Sequence, residues 1–499
     1  PGISLYGGFS GNEKSLSARD TANNPTIIDG KNQRRVITQN YGFSDSMAVV
    51  VDGFTIQNGT AANGGGVNVT ANTTINNCII KANSASNYGS AIYATGAVVK
   101  NCQIFGNTNS DRVYYTVRLN NCVMDSCVVK DNKTYYNAAI LAENKTKVTN
   151  SVLEGNNSVY LYYSGSSFNN SELSNCKFVK TSGAGACVEL ANSSVMSRCL
   201  FEKNTNVSTH VIYINGKSLA EDCQILSNTT SSNLLYLNSG KVNRCLVKGN
   251  TTSDRIMTMY YSSSSSNSLI CDNVCTNSYE PIYMYDKCVA LNNTIVNNTT
   301  KHGNVLYMSN STLKNSIVAG NKTNAGYSCC LNLNGTNTIK NNMLEATFVD
   351  GNMDGSMAYA AFTDAENGDY SLSANSYCIN AGEEVADSLD LYGKARKQGG
   401  AVDMGAIESA HAKAPAYQKC GDIIYVKSGE KGDGSSWTSA FGDIQQAIFA
   451  ASADGKKHQI WVATGTYYGD TTLTTVVNLA PGISLYGGFA GNEKSLAAR

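Results

Sequence analysis

Four tyrosines, Tyr213, Tyr236, Tyr283 and Tyr307, each occupy the middle of an apolar-x-apolar triplet: IYI, LYL, IYM and LYM. Strand side chains alternate, so the middle residue of such a triplet faces outward while its neighbours face the core. Four rings in one register form an exposed aromatic stripe, and a flat apolar ring with a polar tip suits sugar or partner binding. The same rings also steady parallel strands as cross-strand neighbours, with no ligand involved. Acid–base chemistry is less well supplied. The histidines, His210, His302, His411 and His458, stand beside no acidic pair, and acids such as Glu189 and Asp222 are isolated.

Three further groups could carry chemistry. DGNMDG places Asp350, Asn352 and Asp354 at alternate positions before Gly355, as in the first half of a calcium loop. The twelfth position is Ala361, which supplies no bidentate carboxylate, so the stretch reads first as a turn and calcium stays optional. Thr21, Ser46 and Ser388 each follow an aspartate and precede an apolar residue, a pattern that resembles bacterial O-glycosylation sites. Of sixteen cysteines, eight recur at one place in a repeated phrase: Cys78, Cys102, Cys127, Cys176, Cys199, Cys223, Cys245 and Cys271. Stacked about 4.8 Å apart, they read as a buried column of reduced, small hydrophobes. Cys187, Cys329, Cys330, Cys378 and Cys420 lie off that column, and pairing among them is open.

A repeat must position all of these groups. The phrase NNCIIKAN around Cys78 returns as NCQIFGN at Cys102, RCLFEKN at Cys199, DCQILSN at Cys223 and NSIVAGN at Ser316, with a mean period of 24 residues between positions 78 and 342. A second register runs through the outward triplet residues Asn68, Tyr93, Arg118, Tyr160, Glu189, Tyr213, Tyr236, Thr258, Tyr283, Tyr307 and Asn332. Two phased strands per 24-residue turn predict an all-β fold, a right-handed parallel β-helix, in which the core grows along one dimension. Asparagines such as Asn83, Asn107, Asn132 and Asn228 are expected at the corners. Asn tolerates left-handed backbone there, and its amide can bond up and down a stack.

Residues 1–19 reappear at 481–499 with two differences, Ser10/Ala490 and Ser17/Ala497. Near-identity at an offset of 480 residues predicts tandem copies, with this chain one window on the array. The expected division is a β-helix body over 1–408, a linker over 409–421, and over 422–499 a capping helix with the first coils of the next repeat. In that last segment Phe441, Ile444, Ile448 and Ala451 share a helical face, with Thr438 or Ser439 as the N-cap. Such a helix would cover the open end of a solenoid.

With 38 basic against 38 acidic residues and 15% charged overall, no broad field exists to draw in nucleic acid or an anionic surface. No run of eighteen apolar residues occurs, so direct membrane insertion is not expected. The phrases GDGSSW, WVATGTY, NGDYSLSANSYCINAGEE and QGGAVDMGAIE resemble the pectin-lyase-like parallel β-helix proteins of bacterial surfaces that end in a choice-of-anchor type module, in the manner of a Bacteroidota adhesin. The resemblance implies an exported, extracellular protein at the bacterial cell surface. Its chemistry stays open, because that superfamily holds both enzymes and passive stalks. Its lyases use acidic clusters that hold calcium, with Lys or Arg as base, and its hydrolases use close aspartates with a histidine. The expectation is therefore a non-enzymatic structural or adhesive module whose partners are adjacent copies of itself and glycans on other cell surfaces. The alternative is a polysaccharide lyase or glycoside hydrolase of the same fold.

Overall fold

The computed structural model describes residues 2–39, 48–109, 115–134, 139–158, 166–183, 186–205, 209–277, 279–301, 304–323, 331–345, 349, 351–354, 357–386, 389–411, 422–430, 432, 434–452, 457–468, 475–479 and 482–499. The chain forms two compact units, Pro1–Ser263 and Ser264–Arg499.

A five-residue rule builds each coil of the first unit. A residue in left-handed backbone makes a bend, the next side chain points inward, and a three-residue strand alternates out, in, out. In one coil the bends are Gly96 (φ 65°), Asn101 (φ 54°) and Gly106 (φ 60°). The inward residues that follow them, Ala97, Cys102 and Asn107, are all buried. The next coil repeats this at Asn121, Ser126 and Asp131, followed by Cys122, Cys127 and Asn132. Asn and Gly are the residues for which left-handed backbone costs least, which explains their abundance.

Three parallel sheets result, with a short fourth. Tyr93 pairs with Arg118 on one face, Val99 with Met124 on the next, and Ile104 with Val129 on the third. A fourth, shorter ladder joins Ser84 to Thr108. The two strands per turn expected from the sequence are thus corrected to three, because the strand before the Cys phrase, as in Val98–Lys100 and Val123–Asp125, is as short as the next one but follows no recurring residue type. Ile80, Ile104, Val129, Phe178 and Phe201 fill the interior, with the last two rings stacked at 4.6 Å. Burying each such side chain contributes roughly 1.5–3 kcal/mol.

The asparagine column takes a different place from the one expected. Asn83, Asn107 and Asn132 sit one residue past the left-handed position, which Ala82, Gly106 and Asp131 occupy. Their side chains turn inward as a ladder: Asn83 Nδ2 donates to Asn107 Oδ1 at 3.0 Å, and Asn107 and Asn132 pass the pattern on at the same distance. The coil length between ladder partners is 24 residues at Asn83 and 22 at Asn228. A buried amide is tolerated because each of its donors and acceptors is met.

The cysteine column is buried, with Cys78, Cys102, Cys127, Cys176, Cys199, Cys223 and Cys245 as free thiols. Each thiol sits where other coils carry Ser or Asn, and Cys78 Sγ donates to the carbonyls of Asn76 and Val51. Cys271 does not belong to the column. In the second unit Leu269 pairs with Thr294 and Cys271 with Val296, so Ser268, next after the bend at Asn267, holds the inward position beside Asn293. Cys187 and Cys378 are also buried free thiols, whereas Cys329, Cys330, Cys420 and Tyr160 lie outside the described residues.

The second unit continues the same rule and then departs from it. After the strand Met353–Asp354 an antiparallel pair, Phe362–Asp364 with Asp369–Leu372, begins the closing segment. Backbone N–H groups of Gly405 and Ala406 then dock on Asn315 O (2.8 Å) and Thr294 Oγ1 (2.9 Å). Most of the expected linker, residues 412–421, lies outside the described residues.

The strands Ile423–Val426, His458–Ala463 and Ile483–Phe489 form a separate parallel sheet, covered by the helix Ile444–Ser452. Ile448, Ala447 and Ala451 face that sheet together with Phe441. The helix begins on Asp443, whose Oδ1 accepts from Gln446 N at 2.9 Å. Thr438 and Ser439, expected as caps, instead lie in a 3₁₀ turn, Trp437–Ser439. No helix precedes the coils at the N-terminal end among the described residues, which corrects the expectation of an N-terminal capping helix for this body. The helix present in 422–499 touches the strand Met353–Asp354, the last of the coil strands in the second unit.

Candidate functional site

The outer face of the first sheet carries the tyrosines. Its register in the first unit runs Asn68, Tyr93, Arg118, Leu141, Ser167, Glu189, Tyr213, Tyr236 and Thr258, each paired with the next. Tyr213 and Tyr236 are therefore direct neighbours, with ring centroids 5.5 Å apart in an edge-to-face arrangement at 73°. Tyr260 lies 5.7 Å beyond Tyr236, and Tyr261 follows at 5.9 Å with more than half its surface exposed.

His210 completes this group. Its ring stacks on Tyr236 at 4.7 Å and 27°, and lies 5.8 Å from Tyr213. Burial lowers its pKa to about 4, because an imidazolium there would lose its hydration, and Nδ1 has no hydrogen-bond partner among the described residues. Burial beside the other rings raises the Tyr236 phenol in turn. His210 and Tyr236 are thus both held in their uncharged forms.

In the second unit Tyr283 and Tyr307 are paired in register and stack at 4.7 Å and 4°. Tyr285 lies 6.3 Å from Tyr283 and is exposed. Beside them Asn332 Nδ2 donates to Glu280 Oε1 at 2.6 Å, and Asn334 Nδ2 to the Tyr307 hydroxyl at 3.1 Å. Thr258, expected to face outward between the two pairs, is buried, its hydroxyl donating to Asn233 Oδ1 at 2.6 Å. Sequence reading passed over His210, Tyr260 and Tyr261. The signal available was the doubled Tyr after the triplet MTM and the His two residues before IYI.

Charged groups near this face are already paired. Arg118 lies over the rings of Tyr88 (5.2 Å) and Tyr93 (4.9 Å) and bridges to Glu143 at 3.0 Å. At a different corner, between the second and third sheets, Arg244 holds Asp222 at 2.6 Å and Glu221 at 2.9 Å. Among the described residues no group of three His, Cys, Asp or Glu side chains is placed to hold a metal ion. Of the calcium-loop candidates, Asn352 spends its oxygen inward, accepting from Asn342 N and Nδ2 at 3.0 and 2.7 Å. Asp350 and the side chain of Asp354 lie outside the described residues, as do Ser46 and Ser388, while Thr21 sits on an exposed turn.

Parallel sheets wound from short strands, with amide and thiol columns at the bends, define the chain as a parallel β-solenoid. Neither a protein-family model nor a curated protein matches the sequence. Two solved structures are similar. Pectate lyase Pel9A aligns with TM-score 0.33 and 13% identity, over 69% of this chain and 88% of that one. The Dettilon tailspike protein gp208 aligns with TM-score 0.33 and 10% identity, over 62% of this chain and 64% of that one.

Proposed function

We propose that this chain is a non-enzymatic structural and adhesive module of an extracellular bacterial surface protein, repeated in tandem, that presents tyrosine pairs to neutral glycans. The observation that carries the reading is the placement of aromatic rings on consecutive coils within each unit, Tyr213 with Tyr236 in the first and Tyr283 with Tyr307 in the second. A pyranose ring offers an apolar face to such a tyrosine pair while its hydroxyls reach the phenols. The even charge balance favours a neutral sugar over a sulfated or uronic one. In this reading the helix Ile444–Ser452 caps the first coils of the following copy.

The test is binding of the full chain to a glycan panel, beside an assay for release of reducing or unsaturated sugar. Retention of a neutral glycan without turnover is expected, and the double variant Tyr236→Ser, Tyr283→Ser should lose it while keeping its far-ultraviolet spectrum. Turnover of any glycan would replace this reading with the enzymatic one, and binding unchanged in the double variant would remove the tyrosines as the site.

A further inference from the structure

Two nearly identical sequences in this chain meet different surroundings. Residues 1–9 and 481–489 are the same, PGISLYGGF. The flanking turns fold alike: Gly11 N and Gly491 N each donate to the following Glu carboxylate, Glu13 or Glu493, at 2.9 Å. Leu16–Ala18 and Leu496–Ala498 are both 3₁₀ turns.

The strands use opposite edges. Ser4, Leu5 and Tyr6 pair with Val50, Val51 and Asp52 of the coil that follows. Ser484, Leu485 and Tyr486 pair with Gln459, Ile460 and Trp461 of the strand that precedes. Parallel strands can pair on both edges at once, so one strand of this sequence is compatible with both partners.

The apolar side chains show what the first copy lacks. Phe489 is 1% exposed, stacked on Trp461 at 4.7 Å and 10° and set 5.6 Å from Trp437. Trp437 Nε1 also donates to Glu493 O at 2.8 Å. The equivalent Phe9 is 40% exposed, with Ile3 at 59% and Leu16 at 45% around it. Their counterparts Ile483 and Leu496 pack against the cores around Ile460 and Trp461.

We propose that the open edge of the Ser4–Tyr6 strand, with the exposed Ile3, Phe9 and Leu16, is a docking surface for the 422–463 segment of another copy of this repeat, Phe9 being seated as Trp437 and Trp461 seat Phe489. That segment already rests on the closing segment before it, where Gln446 Nε2 donates to the Tyr377 hydroxyl at 2.5 Å. One segment therefore serves as a joint, closing the coils of one copy and starting those of the next. The inference rests on tandem repetition and not on glycan binding, so a chain that binds no sugar leaves it standing.

The full chain supplies the test, because both of its tryptophans lie in the joint. Phe489→Ser weakens the internal seat and frees it for Phe9 of a second molecule. Sedimentation velocity should then show concentration-dependent head-to-tail assembly, and Phe9→Ser in the same chain should abolish it. A synthetic peptide of residues 1–19 should bind the Phe489→Ser chain at least about tenfold more tightly than the same chain carrying Trp461→Ala, the loss expected for removing a buried aromatic contact. A chain that stays monomeric and takes up no peptide, or that assembles equally with Phe9→Ser, would overturn the proposal.

Discussion

Asn107 carries five hydrogen bonds with one small side chain. Its oxygen accepts from Asn83 N and Nδ2, and its Nδ2 reaches Ile80 O, Phe105 O and Asn132 Oδ1. Asn107→Ala leaves buried donors and acceptors unmet on three coils, at a cost of about 3 kcal/mol or more; urea unfolding should show the midpoint fall with an unchanged slope. Two titrating groups act in opposite senses. Glu408 is buried, with Oε1 3.3 Å from Arg396 Nη2 and Oε2 without a partner among the described residues. The nearby guanidinium would favour a carboxylate, but Arg396 also serves the carbonyls of Asp403 and Gly405, and Asp403 and Asp390 face the same site. Desolvation and these acids win, raising Glu408 to about 8. Between its ordinary value of 4.5 and about 8 the folded chain holds a proton that the unfolded chain has lost, so stability falls as pH rises through that window. Glu408→Gln should flatten that slope in the closing segment, read by hydrogen exchange at residues 402–408. For His210 the sign reverses. Its folded value of about 4 lies below the ordinary 6.5, so stability in the first unit falls as pH drops through that interval, and His210→Gln should remove the drop.

The bend-plus-strand unit explains which substitutions the coils accept. Behind each bend the inward residue may be Cys, Ser, Thr or Asn, provided it meets the neighbouring coil: Ser171 N donates to Ser194 Oγ, Ser194 N to Ser218 Oγ, and Cys122 N to Thr146 Oγ1, each at 3.1 or 3.2 Å. Cys122 and Cys288 stand in this second column, where Cys122 Sγ accepts from Ala97 N at 3.4 Å. Ser194→Cys should therefore cost less than about 1 kcal/mol, whereas Ser194→Val strands the Ser171 N–H and costs about 2 kcal/mol; thermal unfolding of the two variants distinguishes them. The period and the main cysteine column were legible in the sequence, because a buried column repeats one residue type at one spacing. The second column was not, since Ala97, Cys122, Thr146, Ser171 and Ser194 share small size but no single residue type. Cys271 misled for the complementary reason: LICDNVC puts a cysteine within three residues of the true inward residue, Ser268, and only strand pairing separates them. The tyrosine register was legible from alternation alone, while the burial of Thr258 depended on Asn233, a residue of the preceding coil.

Stacked coils couple through nearest neighbours, so the strength of each coil-to-coil contact decides whether the solenoid unfolds as one body. In the first unit the amide ladder runs from Asn83 to Asn156 and from Asn204 to Asn250, with Thr181 in the position between them. Thr181 N still donates to Asn204 Oδ1 at 2.9 Å, but its side chain has no amide to extend the ladder. Main-chain pairing in the three main sheets crosses this coil unbroken, Leu173 to Met196, Phe178 to Phe201 and Leu190 to Ile214, while among the described residues the short fourth ladder ends at Ser182–Gly183. One missing amide bond is worth about 1 kcal/mol, against many backbone bonds and apolar contacts on the same interface, so the coils on either side should remain coupled. Pulsed thiol labelling in rising urea measures this directly, because the buried thiols from Cys78 to Cys176 report one side and those from Cys187 to Cys245 the other. Burial raises Cys187 to about 12, so no labelling of it is expected in the folded chain at neutral pH. Both sets should become reactive at one urea concentration, and Thr181→Asn, which joins the two ladders, should move that single step upward by the equivalent of about 1 kcal/mol. Two separate steps in the parent chain, merging in the variant, would instead mark Thr181 as a boundary between independently unfolding halves.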